Sequence, residues 1–397
     1  MTGSAAAAGT GGKSDCLVRY EPGSGPLRVG IRSSVRALFG PAIEAAARAA
    51  AAERGVRTGE LEIEDDGALD YVIASRVEAA LRKAGLAAAP APRSVPPPGA
   101  AASPRRRRRR SRLYLPANQP DLVPNSGLFG ADCLILDLED SVAPDRKVEA
   151  RILARRSLVE GRGFFGASEL AIRINPLSGP FGAADLEELA GAFPQAIILP
   201  KAESAADLEA LDRELSRLEA RSGIEVGSIL VMPLVETALG VARAVEIALA
   251  SPRNAALCFG AEDFARDLGV RRSATGEESL LARQSVVLAA RAAGIQAHDS
   301  VFSDAEDLAG LAASCQAARR LGFAGTGLAH PRQIEVAHRA FDPDPEELAE
   351  AERIVAALEA AEAAGSGVAS LGGKMIDAPV AARARELLRE ARPGMRS

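Results

Sequence analysis

Acidic residues stand directly behind several short apolar runs of this chain. One run ends in Asp137-Leu-Glu139-Asp140-Ser141, another in Pro233-Leu-Val-Glu236-Thr237, and a third in Gly260-Ala-Glu262-Asp263. Two further runs end in Arg173-Ile-Asn175-Pro176 and Pro200-Lys201. Any one acid alone reads equally well as a cap or a loop salt bridge. Polar loop starts alone would not place so many acids immediately after apolar runs. Carboxylates that converge without histidine or cysteine suit a hard divalent cation such as Mg²⁺. Such an ion takes one or two protein carboxylates and leaves its other positions to water and substrate oxygens. An α-keto or α-hydroxy acid would fill two of them. Arg173 could then hold a substrate carboxylate or stabilise an enolate oxygen.

Composition narrows the alternatives. The 397 residues include three histidines, four cysteines, three tyrosines and no tryptophan, which excludes a His-rich metal site and leaves little for an aromatic single-strand platform. The net charge of −5 argues against bulk electrostatic binding of nucleic acid. With 47% hydrophobic and 25% charged residues, the chain reads as soluble and globular, and its length suggests two or three domains. Cys16, Cys133, Cys258 and Cys315 are far apart, and Cys133 and Cys258 sit in apolar runs as small buried hydrophobes. A reducing cytoplasm fits that usage. No apolar stretch reaches the roughly 18 residues needed to span a bilayer. Met1–Gly12, rich in Ala and Gly, reads as a flexible start and not a signal peptide.

The elements that must position the acids follow from periodicity. After residue 110, strands at Leu113–Leu115, Cys133–Asp137, Leu170–Ile174, Ala196–Leu199, Ile229–Met232 and Ala256–Phe259 alternate with amphipathic helices. Weaker strands follow near Ile295–Ala297 and Gly325–Leu328. Eight strand–helix units in roughly 230 residues predict an α/β fold of the (β/α)8 TIM-barrel type, with a doubly wound sheet as the other arrangement. A barrel carries its active site at the C-terminal ends of its strands, where all the acids above fall. A last helical stretch, Glu346–Ala364, leads to a segment ending in Asp377, outside the eight units.

Residues 1–85 read as a small α+β module of order β-β-α-β-α. Its strands are Cys16–Tyr20, Leu27–Ile31 and the alternating Leu61/Ile63 run, and its helices are Val35–Ala51 and Leu69–Leu81. Residues 86–109 read as a flexible Pro/Arg-rich linker. It contains Pro90, Pro92, Pro96, Pro97, Pro98 and Pro104 and opens into the run Arg105 to Arg110. The arginine run reads as a self-repelling, solvated linker end, or else as a contact for an anionic partner.

Seven motifs in order resemble the citrate lyase β-subunit family of the HpcH/HpaI aldolase superfamily. They are Arg110-Ser-Arg-Leu-Tyr-Leu-Pro116, Ile135-Leu-Asp-Leu-Glu-Asp-Ser-Val142, Arg173-Ile-Asn175, Leu199-Pro-Lys201, Pro233-Leu-Val-Glu-Thr237, Phe259-Gly-Ala-Glu-Asp263 and His330-Pro-Arg-Gln-Ile334. The resemblance implies a Mg²⁺-dependent carbon–carbon (oxo-acid) lyase over residues 110–397. It implies Glu236 and Asp263 as Mg²⁺ ligands and Arg173 as the residue that stabilises the acetyl-thioester enolate. Arg110 and Glu139 would lie near the substrate, and Asp377 would be a catalytic acid on a C-terminal helical lid, reaching a neighbouring subunit of an oligomer. Ala117 departs from the glycine that relatives often have after the proline.

Ile63-Glu-Asp-Asp-Gly-Ala-Leu-Asp70, with Ile31-Arg-Ser-Ser-Val35 and Leu38-Phe-Gly40, resembles the citrate lyase acyl carrier subunit. That resemblance implies a phosphoribosyl-dephospho-CoA arm on Ser14, which makes the chain a phosphoprotein and calls for an acyl-transferase subunit as partner. Counted from Gly9, the family's modified serine falls one place earlier, on Lys13. The implied reaction is cleavage of a citryl thioester to oxaloacetate and an acetyl thioester. The alternatives are a malyl-CoA or citramalyl-CoA lyase acting on free thioesters, and a citramalate lyase.

Overall fold

A computed structural model describes residues 4–86, 100–273 and 275–391. The chain divides into two compact units, Met1–Ile334 and Glu335–Ser397.

The first unit begins with a four-stranded sheet in the order β1-β2-β4-β3. Its strands are β1 (Ala6–Ala8), β2 (Cys16–Pro26), β3 (Arg28–Ser33) and β4 (Thr58–Asp65). In β4, Leu61 and Ile63 point into the core while the intervening glutamates face out, as a period of two requires. Helices α1 (Arg36–Glu53) and α2 (Asp70–Lys83) complete the module. Strand β1 lies inside the segment expected to be a flexible start. It pairs antiparallel with β2, Ala6 opposite Tyr20 and Ala8 opposite Val18, and Ala8 is buried. Alanine and glycine carry no hydrophobic alternation, so nothing in the sequence marked this strand.

Eight parallel strands then close into a barrel. They are β5 (Ser111–Pro116), β6 (Cys133–Asp137), β7 (Glu169–Arg173), β8 (Ala196–Leu199), β9 (Leu230–Val235), β10 (Ala256–Phe259), β11 (Gln296–Phe302) and β12 (Gly325–Leu328). Pairing of β12 with β5, Leu328 opposite Leu113, closes the ring, so the doubly wound alternative falls away. The outer helices are α3 (Lys147–Val159), α4 (Gly182–Leu189), α5 (Ala205–Ser222), α6 (Ala238–Ala242), α7 (Ala244–Leu249), α8 (Ala261–Asp267), α9 (Leu280–Ala292) and α10 (Leu308–Leu321). Cys133, Ile135, Ala171, Ile198, Met232 and Cys258 fill the interior, and Tyr114 packs against them. Among the described residues no helix is long and apolar enough to cross a membrane.

The arginine run is not solvated throughout: Arg105 and Arg106 are exposed, but the rest is drawn onto the barrel. Arg109 is fully buried, its Nε 2.5 Å and its Nη2 2.7 Å from the carboxylate of Glu169 at the start of β7. Ser103 also donates to Glu169, Arg105 Nε donates to Asn254 O at 2.8 Å, and Gln195 donates to Ala101 O at 3.0 Å. All these partners stand at or just before the starts of barrel strands. Residues 101–109 are therefore fastened across the N-terminal end of the barrel, because buried carboxylates and carbonyls there need cationic donors. The proline cluster from Pro90 to Pro98 lies outside the described residues.

In the second unit, α11 (Ile334–Phe341) and α12 (Pro345–Ala363) precede a hairpin, β13 (Ala369–Leu371) and β14 (Lys374–Ile376), and then α13 (Ala378–Ala391). Gly372 and Gly373 both have positive φ, which a two-residue type I′ turn demands. Leu358, Ile376 and Ala381 form its core.

Candidate active site

The C-terminal ends of β6, β7, β8 and β9 bring Asp137, Arg173, Lys201 and Glu236 into one connected set. Arg173 Nε and Nη2 donate to the two oxygens of Asp137, each at 2.7 Å, a planar two-point grip that fixes the guanidinium. Its third nitrogen, Nη1, lies 2.9 Å from Glu139 Oε2, and its carbon lies 5.3 Å from the Tyr114 ring centroid. Lys201 Nζ donates to Glu139 Oε1 at 2.6 Å, while its backbone N–H donates to Glu236 Oε1 at 2.9 Å. Lys201 has φ of 52°, a left-handed conformation that turns both donors toward the site. Gly260 leaves room for Glu236: a Cβ there would stand 2.5 Å from Glu236 Oε2.

Burial and like charge set the protonation of this cluster. Burial pushes Glu236 up to about 8, and the charges of Glu139 and Asp263 add to the shift. Burial also raises Glu139, against the pull of Arg173 and Lys201. Asp137 ends below the usual carboxylate range, because its bonds to Arg173 outweigh its burial. Glu236 thus feels the charges of both Glu139 and Asp263 at the mouth. Glu139 Oε2 is buried and, although close to Arg173, lies off its hydrogen-bond direction. Clustered anionic oxygens with an unaligned buried acceptor are a donor set that fits a hard cation. Among the described residues no three His, Cys, Asp or Glu side chains form a closed cage. Two carboxylates with open positions is the Mg²⁺ pattern instead.

The expected residues divide. Arg173, Glu139, Glu236 and Asp263 come together at the mouth, Asp263 on the first turn of α8 with its carboxylate paired to Arg266. Arg110 does not join them. It precedes β5, so it lies at the opposite end of the barrel, where its Nε and Nη2 grip Asp132 at 2.9 Å. Asp377 belongs to the second unit, where its Oδ1 accepts the Val380 N–H at 3.1 Å and caps α13. Ser14 sits between β1 and β2 with φ of 59°, partly exposed, its N–H held by Asp66 O. Ala117 keeps a negative φ, so its departure from glycine costs nothing. Asp137 and Lys201 carry more of the site than their sequence positions indicated, and the signal was their place at strand ends; Tyr114, inside β5, carried no such signal.

Residues 110–331 match the HpcH/HpaI aldolase/citrate lyase family, and residues 4–84 match the malonate decarboxylase delta subunit (MdcD). The citrate lyase subunit beta of Haemophilus influenzae is 40% identical over 72% of this chain and 98% of its own length. The chain belongs to the HpcH/HpaI aldolase/citrate lyase family. Another relative, the L-malyl-CoA/beta-methylmalyl-CoA lyase of Cereibacter sphaeroides, is 34% identical over 70% of this chain and 93% of its own length. A crystal structure of CitE from Mycobacterium tuberculosis with magnesium, acetoacetate and coenzyme A superposes with a TM-score of 0.60. It is 35% identical and covers 72% of this chain and 99% of its own. Membership makes the barrel a lyase of the citrate lyase type, preceded by an acyl-carrier-like module.

Proposed function

We propose that the chain is a Mg²⁺-dependent lyase that cleaves a citryl thioester carried on its own N-terminal module. The observation that carries this reading is the Asp137–Arg173–Glu139–Lys201–Glu236 network at the barrel mouth, downstream of a carrier-like module. The reaction is a retro-Claisen cleavage. The substrate hydroxyl loses its proton, its C–O bond becomes the carbonyl of oxaloacetate, and the C–C bond breaks. The electron pair of that bond becomes the enolate of an acetyl thioester. A Mg²⁺ ion held by Glu236 and Asp263 would supply Lewis-acid polarisation and a grip on oxaloacetate oxygens. Arg173, held rigid by Asp137, balances the enolate charge, a contribution of about 2.7–4 kcal/mol if it acts as an oxyanion-hole donor does. Lys201 steadies Glu139 and, through its backbone, Glu236. Asp377, contributed by a neighbouring copy in an oligomer, returns a proton to the enolate carbon. Ser14 bears the phosphoribosyl-dephospho-CoA arm, loaded by a separate acyl transferase, and the four buried free cysteines fit a cytoplasmic setting.

A second reading is a lyase for free malyl-CoA or citramalyl-CoA, favoured by the malyl-CoA lyase relative. Two measurements decide. Peptide mass spectrometry of protein from its native host reads the arm on Ser14. Arg173→Lys keeps a cation but loses the two-point grip, and turnover should fall at least ~100-fold with circular dichroism unchanged. Near-native turnover in Arg173→Lys defeats the assigned role. An unmodified Ser14, with full turnover of free CoA thioesters, establishes the second reading.

A further inference from the structure

Helix α2 is buried along its whole length from Tyr71 to Leu81, and only part of that burial comes from its own sheet. Ile152 of barrel helix α3 lies inside the hydrophobic cluster of the N-terminal module, with Val148 packed against it. Tyr71 packs against Phe164 of the barrel, ring centroids 6.3 Å apart and planes tilted by 40°. A charged hub is built from both sides. Glu78 is fully buried; its carboxylate accepts from Arg54 and from Arg82 at 2.6 Å on its own side. From α3 it accepts Arg155 at 2.7 Å and Arg156 at 3.0 Å. Arg82 and Arg155 both go on to Glu188 of α4, at 2.8 and 2.7 Å.

A second anchor reaches the rim of the barrel mouth. Arg76 is fully buried; its Nε and Nη2 hold the two oxygens of Asp15, next to Ser14, at 2.8 and 3.1 Å. The same Nη2 donates to Asn118 O at 3.1 Å, in the loop that follows β5. Gly9 N, at the start of the Ser14 loop, donates to Glu149 Oε2 at 3.1 Å on the first turn of α3. Ala117, beside Asn118, donates to the backbone of Asp137, the residue that grips Arg173. The Ser14 loop is thus fastened to the C-terminal side of the barrel, a few contacts from the reactive arginine.

We infer that the carrier half is a fixed wall of the barrel and not a domain swinging on a tether. Ser14 stays at the rim, only the arm moves, and the acyl thioester is delivered to the mouth of the same chain. This rests on the reading of Ser14 as the attachment point. A shared hydrophobic core and a buried hub satisfied only by residues of both halves hold the two together. A swinging carrier would instead expose Ile152, Val148 and the face of α2 that packs on α3 at every cycle.

The test uses the full chain with a protease site placed within residues 87–99. After cutting, the 1–86 fragment should co-elute with the barrel in gel filtration at physiological salt, and Glu78→Gln should speed its release at least tenfold. Separation of the wild-type fragment would overturn the inference, whether or not the Glu78→Gln protein folds. A mixing experiment checks delivery: Ser14→Ala chains combined with loaded Arg173→Ala chains should cleave at least 100-fold more slowly than the loaded wild type. Cleavage near half the wild-type rate would also overturn it. If Ser14 proves unmodified while the fragment stays bound, the attachment reading fails and the docking stands.

Discussion

Glu236 depends on an absence: no side chain at Gly260. The backbone of Gly260 has φ of −117°, which alanine adopts freely, so a Gly260→Ala change tests contact and not strain. The added methyl would meet the carboxylate of Glu236 and displace it. Calorimetric titration of Mg²⁺ into the metal-free variant should show affinity about 10–100-fold weaker, with thermal stability nearly unchanged. Unaltered Mg²⁺ affinity would remove Glu236 from the ligand set. The histidine count proved informative at this scale. His298 is buried in the barrel, where burial and the charges of Arg112 and Arg109 keep it neutral. His330 accepts the Arg332 N–H and caps a short helical turn. The sequence identified the acids by position but could not separate the holder from the held. Asp137 and Glu139 differ in role because one takes two nitrogens of Arg173 and the other takes Lys201, contacts that span 36 and 62 residues.

At the scale of elements, most barrel strands were legible because they are short buried runs of apolar residues, while β11 and β12, with Gln296, His298 and Asp299 in one and two glycines in the other, gave a weaker signal. Cys133–Asp137, Ala196–Leu199, Ala256–Phe259 and Gly325–Leu328 stand as expected from their side chains alone. The helical stretch that follows β9 is broken at Arg243 into two short helices, α6 and α7. What had no period was not legible: β1, built of alanines, and the arginine run, whose order comes from Glu169 about 60 residues away. Arg110 was misplaced for a related reason. A motif shows that a residue is kept beside a strand, and its end of the strand decides which face of the barrel it serves. The run carries its own prediction. Arg109→Met leaves Glu169 buried with its main counter-charge gone and should cost about 3–5 kcal/mol in urea unfolding. Arg106→Ala, at an exposed position in the same run, should stay within about 0.5 kcal/mol of wild type. Equal effects would mean that the run acts by bulk charge and not by one buried pair.

For the molecule as a whole, composition marked three regions, and the structure redraws how they join. Residues 4–86 and the barrel fall in one compact unit, with α2 between the module's sheet and α3. The second unit keeps its own small core around Leu358, Ile376 and Ala381. The account's central claim is a Mg²⁺-dependent cleavage of a thioester carried by the chain itself. Its most direct measurement is a single turnover of citryl-loaded full-length protein, following oxaloacetate in solution and the mass of the Ser14 peptide together. On adding Mg²⁺, one oxaloacetate should appear per loaded chain while the Ser14 peptide changes from citryl-bearing to acetyl-bearing, and a chelator should stop both. Oxaloacetate release that leaves the Ser14 peptide unchanged, or that proceeds undiminished with the chelator present, would contradict the account.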